Sequence, residues 1–259
     1  MKITILGCGT STGVPALGCD CAVCLSADPK NQRRRVSIMV EHGGTRLLVD
    51  TSPDLRGQLL DARVTHLDGV LYTHAHADHV HGIDDLRSVN FNMGRAIDVW
   101  GSEATLDIIQ ERFGYAFRPP AKESWWNRPS LTANVLTHGQ MIEIGNILVM
   151  AFDQLHGHSV TSGYRFGGAA YSTDVKEISE RSFETLKGVK LWIVDCVGFD
   201  EHRTHAHLDL ALEWIARVKP ERAVLTHMSH HFDYEKLRAS LPKGVEPGYD
   251  GLSLAARPR

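Results

Sequence analysis

Short apolar runs bounded by polar or glycine-containing turns recur along the chain. KITIL (2–6), VSIMV (36–40), TRLLVD (45–50), GVLYT (69–73), IDVW (97–100), ILVMAF (147–152), AAYST (169–173), KLWIVD (190–195), RAVLT (222–226) and LSLAA (252–256) are rich in aliphatic and β-branched residues and read as strands. Three stretches carry apolar residues at helical spacing instead: SEATLDIIQERF (102–113), VKEISERSFETLKG (175–188) and HLDLALEWIARVK (207–219). Ser102 and Asp174 stand where N-caps belong, and Gly188 where a C-cap belongs. Strands outnumber helices, so the pattern predicts sheets covered by helices, an α/β (α+β) chain. Asn92–Gly94 and RPPAKESWWNRPS (118–130) read as loops. The second holds Trp125 and Trp126, which a disordered linker would not carry. It is expected to be ordered, either lining a site or the subunit contact of a homodimer, or packing as ordinary surface. Arg33, Arg34 and Arg35 form a charge run, expected as a solvated strand entrance.

Composition narrows the class. A chain of 259 residues without internal repeat or boundary signal is expected to be one domain, 1–259. The hydrophobic share of 42% and charged share of 23% are those of an ordinary globular protein. A net charge of −3 supplies no field for nucleic acid or an anionic membrane surface, so neither is an expected partner. MKITILG reads as a strand, not as a basic leader, and no apolar run approaches the roughly 18 residues of a membrane span. A cytoplasmic location is therefore expected. Of five cysteines, Cys19, Cys21 and Cys24 crowd into GCDCAVC, which favours metal over a disulfide framework. Cys8 and Cys196 are expected as buried small apolar side chains.

The chemistry concentrates in LYTHAHADHV (71–80), directly after the strand GVLYT. His74 and His76, two apart on extended backbone, share a face. Asp78 and His79 follow where a helix could start and can turn back to the same space. Imidazoles plus a carboxylate suit Zn²⁺, Mn²⁺ or Fe²⁺, and two groups of them suit a pair of cations. Later strand ends supply more donors: His156 and His158 in QLHGHS, Asp174 in YSTDV, and His227, His230 and His231 in LTHMSHH. Asp174 fits a carboxylate bridging two cations and can serve as an N-cap as well.

The order His74-x-His76-x-Asp78-His79, then His156, Asp174 and His227, resembles the metallo-β-lactamase superfamily across most of the chain. That resemblance implies an αββα four-layer sandwich with metals at one sheet edge. It implies that metal one takes His74, His76 and His156, metal two takes Asp78, His79 and His227, and Asp174 bridges them. His156 is preferred to His158 for its spacing to Gly163-Tyr164, which leaves His158 facing substrate or an outer ligand contact. Asp50, in LLVDTSPD, matches the aspartate that orients a ligand histidine.

Cys19, Cys21 and Cys24 leave a tetrahedral site one ligand short, and His230, one helical turn past His227, can complete a structural Zn²⁺ site. This arrangement, with LGCGTSTGVP, LVDTSPDLR and PGYDG, is similar to the phosphoribosyl 1,2-cyclic phosphate phosphodiesterases, and the coenzyme PQQ biosynthesis B proteins share the frame. The resemblance implies a hydrolase of a small cyclic or nucleotide-like phosphodiester, with two Mn²⁺ or Zn²⁺ ions and one structural Zn²⁺. Asp78 is counted as catalytic there, and His205, in RTHAHLDLAL, matches the general acid that protonates the leaving oxygen. His207 is its neighbouring rival. Other readings are a tRNA 3′-processing-type endonuclease, a lactonase or thioesterase, and a non-catalytic metal- or metabolite-binding protein of the PQQ biosynthesis B kind.

Overall fold

The structure is a computed structural model and describes residues 1–118 and 127–258. The predicted loop residues Pro119, Pro120, Trp125 and Trp126 lie outside the described residues. Strands are numbered β1 to β14 in chain order. The first sheet holds β1 (Lys2–Gly7), β2 (Ser37–His42), β3 (Thr45–Val49), β4 (Gly69–Leu71), β5 (Ile97–Gly101), β6 (Leu131–Val135) and β14 (Ser253–Ala255). Its order is β14-β1-β2-β3-β4-β5-β6. The second holds β7 (Met141–Ile144), β8 (Ile147–His156), β9 (Ser159–Phe166), β10 (Ala169–Ser172), β11 (Leu191–Asp195), β12 (Arg222–Thr226) and β13 (Val245–Pro247), in the order β13-β12-β11-β10-β9-β8-β7. In both sheets an antiparallel part precedes a parallel part in one or the other direction, β3 to β6 and β10 to β13 being parallel.

Alternation along the strands sorts the core into layers. Ile38 and Val40 of β2, Leu47 and Val49 of β3 and Leu71 of β4 join the apolar cluster shared with the second sheet. The residues between them, Met39, Leu48 and Val70, join a separate cluster with helices α1 (Leu55–Asp61), α3 (Leu86–Met93) and α4 (Glu103–Phe113). A period of two thus commits one side of the first sheet to the other sheet and the opposite side to helices. In the second sheet, β10 and β11 are buried at every residue, which is why they read as unbroken apolar runs. Helices α5 (Glu180–Leu186), α6 (Leu208–Val218) and α7 (Tyr234–Ser240) pack Phe183, Leu186, Ala211, Trp214, Ile215 and Leu237 into the cluster of that sheet. The result is the four-layer sandwich that the family resemblance implies.

Several local expectations are corrected. The helix predicted over 175–188 begins only at Glu180, with Ser179 as N-cap accepting the Ser182 N–H. Val175 is buried, and Lys176 and Glu177 give their N–H groups to Leu155 O, so backbone pairing displaces the first helical turns. Asp174 is therefore not an N-cap. Asn92 and Met93 close α3, and Gly94 caps it at φ 62°. Arg33 is buried, not solvated. Cys8 and Cys196 are buried as expected.

Candidate metal centre

Strand ends from both sheets meet at one edge. The carboxyl ends of β3 and β4 bring Asp50 and the turn 73–79, in which α2 (Ala77–Val80) carries Asp78 and His79 back toward the strand end. The carboxyl ends of β8, β10, β11 and β12 bring His156, Asp174, Asp195 and His227. His74, His76, His156 and Asp174 each place a donor atom within 4.8 Å of the others, and so do Asp78, His79, Asp174 and His227. Asp174 belongs to both sets. Its Oδ1 lies 3.8 Å from His74 Nε2, 3.9 Å from His156 Nε2 and 3.5 Å from His227 Nε2, and its Oδ2 lies 3.2 Å from His79 Nε2. Donors held about 2.1 Å from one tetrahedral cation stand roughly 3.4 Å apart, so these separations suit ligands around shared cations.

Backbone conformation at this edge is unusual. Asp50, Asp174 and His227 have φ of 63°, 53° and 57°, three of five non-glycine residues with positive φ among the described residues. Such residues cost about 1–3 kcal/mol each and persist where the surroundings hold them, which concentrates them at functional sites. The turn after His156 is equally specific. Gly157 has φ 65°, and a Cβ there would stand 2.8 Å from Thr204 Cγ2. Glycine at the first turn position suits a two-residue hairpin loop, and here it also admits the 203–204 segment.

The outer hydrogen bonds fix which imidazole nitrogen faces inward. His156 Nδ1 donates to Thr204 O at 2.7 Å; a carbonyl only accepts, so the neutral ring keeps its lone pair on Nε2. His79 Nδ1 donates to Asp50 Oδ2 at 2.7 Å, while Asp50 also takes the Thr73 N–H at 2.8 Å and the Thr73 hydroxyl at 2.7 Å. His74 Nδ1 lies 3.0 Å from Thr73 Oγ1. His74 Nε2, His79 Nε2 and His227 Nε2 are buried without a hydrogen-bond partner among the described residues. Buried polar atoms of this kind are rare, and three converging on one carboxylate are what divalent cations would satisfy.

The electrostatics point the same way. Burial pushes the His74 and His156 imidazoles below their ordinary value. Burial acts likewise on His79 and His227, yet carboxylates overcome it: Asp174 and Asp50 raise His79 well above its ordinary value, and Asp174 with Asp78 brings His227 to about 9. Burial would lift the Asp78 and Asp174 carboxyls, but the His227 and His79 imidazoles hold both below the usual range. This corner of the site stabilises positive charge beside buried carboxylates.

A second donor set lies apart from these two. Cys19, Cys21 and Cys24 place their Sγ atoms 3.1, 3.6 and 3.7 Å from His230 Nδ1. These four atoms fall within 4.8 Å of one another, in keeping with a closed tetrahedral S₃N site. The Cys24 N–H points at Cys21 Sγ and lowers that thiol to about 6, while burial raises Cys24 to about 11. A thiolate is thus accessible at Cys21 near neutral pH.

His205 sits against the paired sets. Its ring lies 4.6 Å from that of His156 and stacks on His227 at 4.5 Å, and its Nε2 is 4.0 Å from Asp174 Oδ1. Its Nδ1 donates to Asp195 Oδ2 at 3.0 Å, and the same oxygen accepts the Val175 N–H at 3.0 Å. His207 is the residue before α6 and is absent from these donor groups. His158, in the hairpin turn that follows the buried His156, is exposed. Asp195, Thr73 and Thr204 were not anticipated. Asp195 ends an apolar strand at the same edge as Asp174, and that position was the available signal; a hydroxyl and a backbone carbonyl give none.

Among the described residues, two seven-stranded sheets flanked by helices, with histidine and aspartate at one edge, define the metallo-β-lactamase fold. The family of beta-lactamase superfamily domains matches residues 45–228, and the chain belongs to it. Its structure is similar to the crystal structure of a diphosphatase from the PhnP family, at a TM-score of 0.91 and 35% identity over 99% of this chain and 98% of that one. Zn²⁺-bound PqqB from Methylobacterium extorquens shares the fold at a TM-score of 0.79 and 19% identity, over 99% of this chain and all of that one (100%). An octanoyltransferase of Porphyromonas gingivalis is 36% identical over 97% of this chain but only 51% of its own length. The chain spans about half the length of the curated relatives it matches. Proteins of this fold usually bind divalent metals. Among the described residues no helix is long and apolar enough to cross a membrane.

Proposed function

We propose that the protein is a two-cation phosphodiesterase acting on a small cyclic or nucleotide-like phosphodiester. In this reading His74, His76 and His156 hold one cation, Asp78, His79 and His227 hold the other, and Asp174 touches both; Mn²⁺ or Zn²⁺ suits these donors. Cys19, Cys21, Cys24 and His230 hold a structural Zn²⁺. When bound, the paired cations acidify a water and take up charge on the phosphoryl oxygens.

The observation that carries the reading is the His205–Asp195 pair beside that centre. As the new P–O bond forms, the bond to the leaving oxygen breaks, and an alkoxide leaves poorly unless protonated. His205 gives it the Nε2 proton, worth typically about 10²–10⁴-fold. Asp195 accepts from Nδ1 and fixes the ring, which leaves Nε2 on the side of the centre. A lactonase or thioesterase needs the cations but not this acid. A tRNA-processing role is not favoured by a net charge of −3.

A second reading is supported by the similarity to a PhnP-family diphosphatase: hydrolysis of a diphosphate anhydride at the same centre. Its leaving group is a phosphate, which departs with little need of a proton. The test is metal-depleted protein reconstituted with Mn²⁺ or Zn²⁺ and offered bis-p-nitrophenyl phosphate, a ribosyl cyclic phosphodiester, a dinucleoside diphosphate and precursor tRNA. Metal-dependent turnover of the small diesters is expected. Turnover of the diphosphate alone moves the assignment to the second reading, and turnover of none by metal-replete protein ends the enzymatic one.

A further inference from the structure

Arg33 is 2% exposed, and its partners are two carbonyls and an amide. Nη1 donates to Ser229 O at 2.9 Å; Nη2 donates to Phe232 O at 2.7 Å and to Asn31 Oδ1 at 3.2 Å. Ser229 and Phe232 are the first and last residues of a turn that the Phe232 N–H closes onto Ser229 O. His230 lies inside that turn, and His227 lies two residues ahead of it. Burying a guanidinium on neutral acceptors is costly, and a planar fork that spans both ends of one turn is what it provides in return.

The same residue reaches the other parts of both sites. Its backbone pairs with Val14 in both directions, at 2.7 and 2.8 Å, and Val14 leads into the loop of Cys19, Cys21 and Cys24. The Ser229 N–H donates to Val197 O, and the Val197 N–H to Ala206 O, next to His205. Asn31 extends the clamp by accepting the Tyr234 N–H at 2.8 Å and donating to Asp233 Oδ2 at 3.0 Å. The ligands of the first cation set are tied down elsewhere, His74 by Thr73 and His156 by Thr204.

We propose that Arg33 is a positioning residue that fixes the 229–232 turn and thereby sets, together, the geometry of the donor sets containing His227 and His230. The proposal rests on the reading that these sets hold cations. It predicts a selective effect on metal affinity. In Arg33→Met, cation affinity at the Cys19–Cys21–Cys24–His230 set and at the Asp78–His79–His227 set falls by about 10–100-fold, the range for lost outer contacts to metal ligands. Affinity at the His74–His76–His156 set changes less than about threefold.

The measurement is Co²⁺ titration of metal-depleted full-length protein. Calorimetry counts the sites, and the thiolate-to-cobalt charge-transfer band reports the cysteine set separately. Circular dichroism checks that the variant is folded. If Arg33→Met does not fold, Arg33→Lys, which keeps the charge and loses the fork, is expected to show the same selectivity at smaller amplitude. Equal weakening at all sets, or unchanged affinity at all of them, overturns the proposal. A wild-type protein that binds no Co²⁺ overturns instead the metal reading on which it rests.

Discussion

Replacing His205 by alanine separates proton donation from every other contribution of the site. The side chain is 11% exposed and wedged between His156 and His227. Its removal leaves Asp195 Oδ2 with the Val175 N–H, so that buried carboxylate keeps a donor and the strand end keeps its anchor. The cation donors are untouched. For a substrate with an alkoxide leaving group, kcat/KM is expected to fall by about 10²–10⁴-fold, equivalent to roughly 2.7–5.5 kcal/mol of transition-state stabilisation. For a p-nitrophenyl ester, whose leaving group has a pKa of about 7 and needs no proton, the loss should stay below about tenfold. The assay compares the two substrates on wild-type and variant protein of equal metal content. A variant that loses both activities equally, or that keeps the alkyl activity, refutes the assignment of His205 as the acid. A small loss on alkyl diesters joined to good turnover of a diphosphate supports the anhydride reading instead.

Asp50→Asn removes the anion that accepts from His79 Nδ1 and should weaken one of the two paired cations by about 10–100-fold, with the other little changed, as read by metal titration. Gly157→Ala combines a left-handed backbone with a Cβ pressed on Thr204, whose carbonyl holds His156; about 1–2 kcal/mol of stability should be lost, measured by denaturant unfolding. Burial raises the Asp250 carboxyl to about 6, above its unfolded value, so the folded state favours the protonated acid. The associated stability is complete below about pH 4 and is lost as pH rises through 6, which amounts to about 1 kcal/mol between pH 5 and 8. Asp250→Asn should remove that share of the slope; identical slopes for wild type and variant would show the carboxyl ionises freely.

Ten of the fourteen strands among the described residues and the first four donors were legible because both signals are local. An apolar run of five residues and a six-residue His/Asp cluster each declare themselves without knowledge of the fold. β6 and β7, with mostly half-buried or exposed residues, lack the apolar density that marked the inner strands. α1 and α3 are helices of seven and eight residues whose burial comes from the first sheet, so their periodicity is too short to read alone. Arg33 shows the opposite error. Charge run and solvent exposure usually go together, and only the approach of the 229–232 turn makes this arginine a buried clamp. Asp195 was hidden for a related reason: its importance comes from His205, ten residues away and brought back by the loop between β11 and α6.

In the proposed function seven side chains converge on a pair of divalent cations that share Asp174. Anomalous diffraction from crystals grown with Mn²⁺ or Zn²⁺ tests it most directly. Two peaks about 3.5–4 Å apart on either side of the Asp174 carboxylate are expected, with a third among Cys19, Cys21, Cys24 and His230. A single cation at the strand edge, or cations bound away from Asp174 and His227, would contradict it.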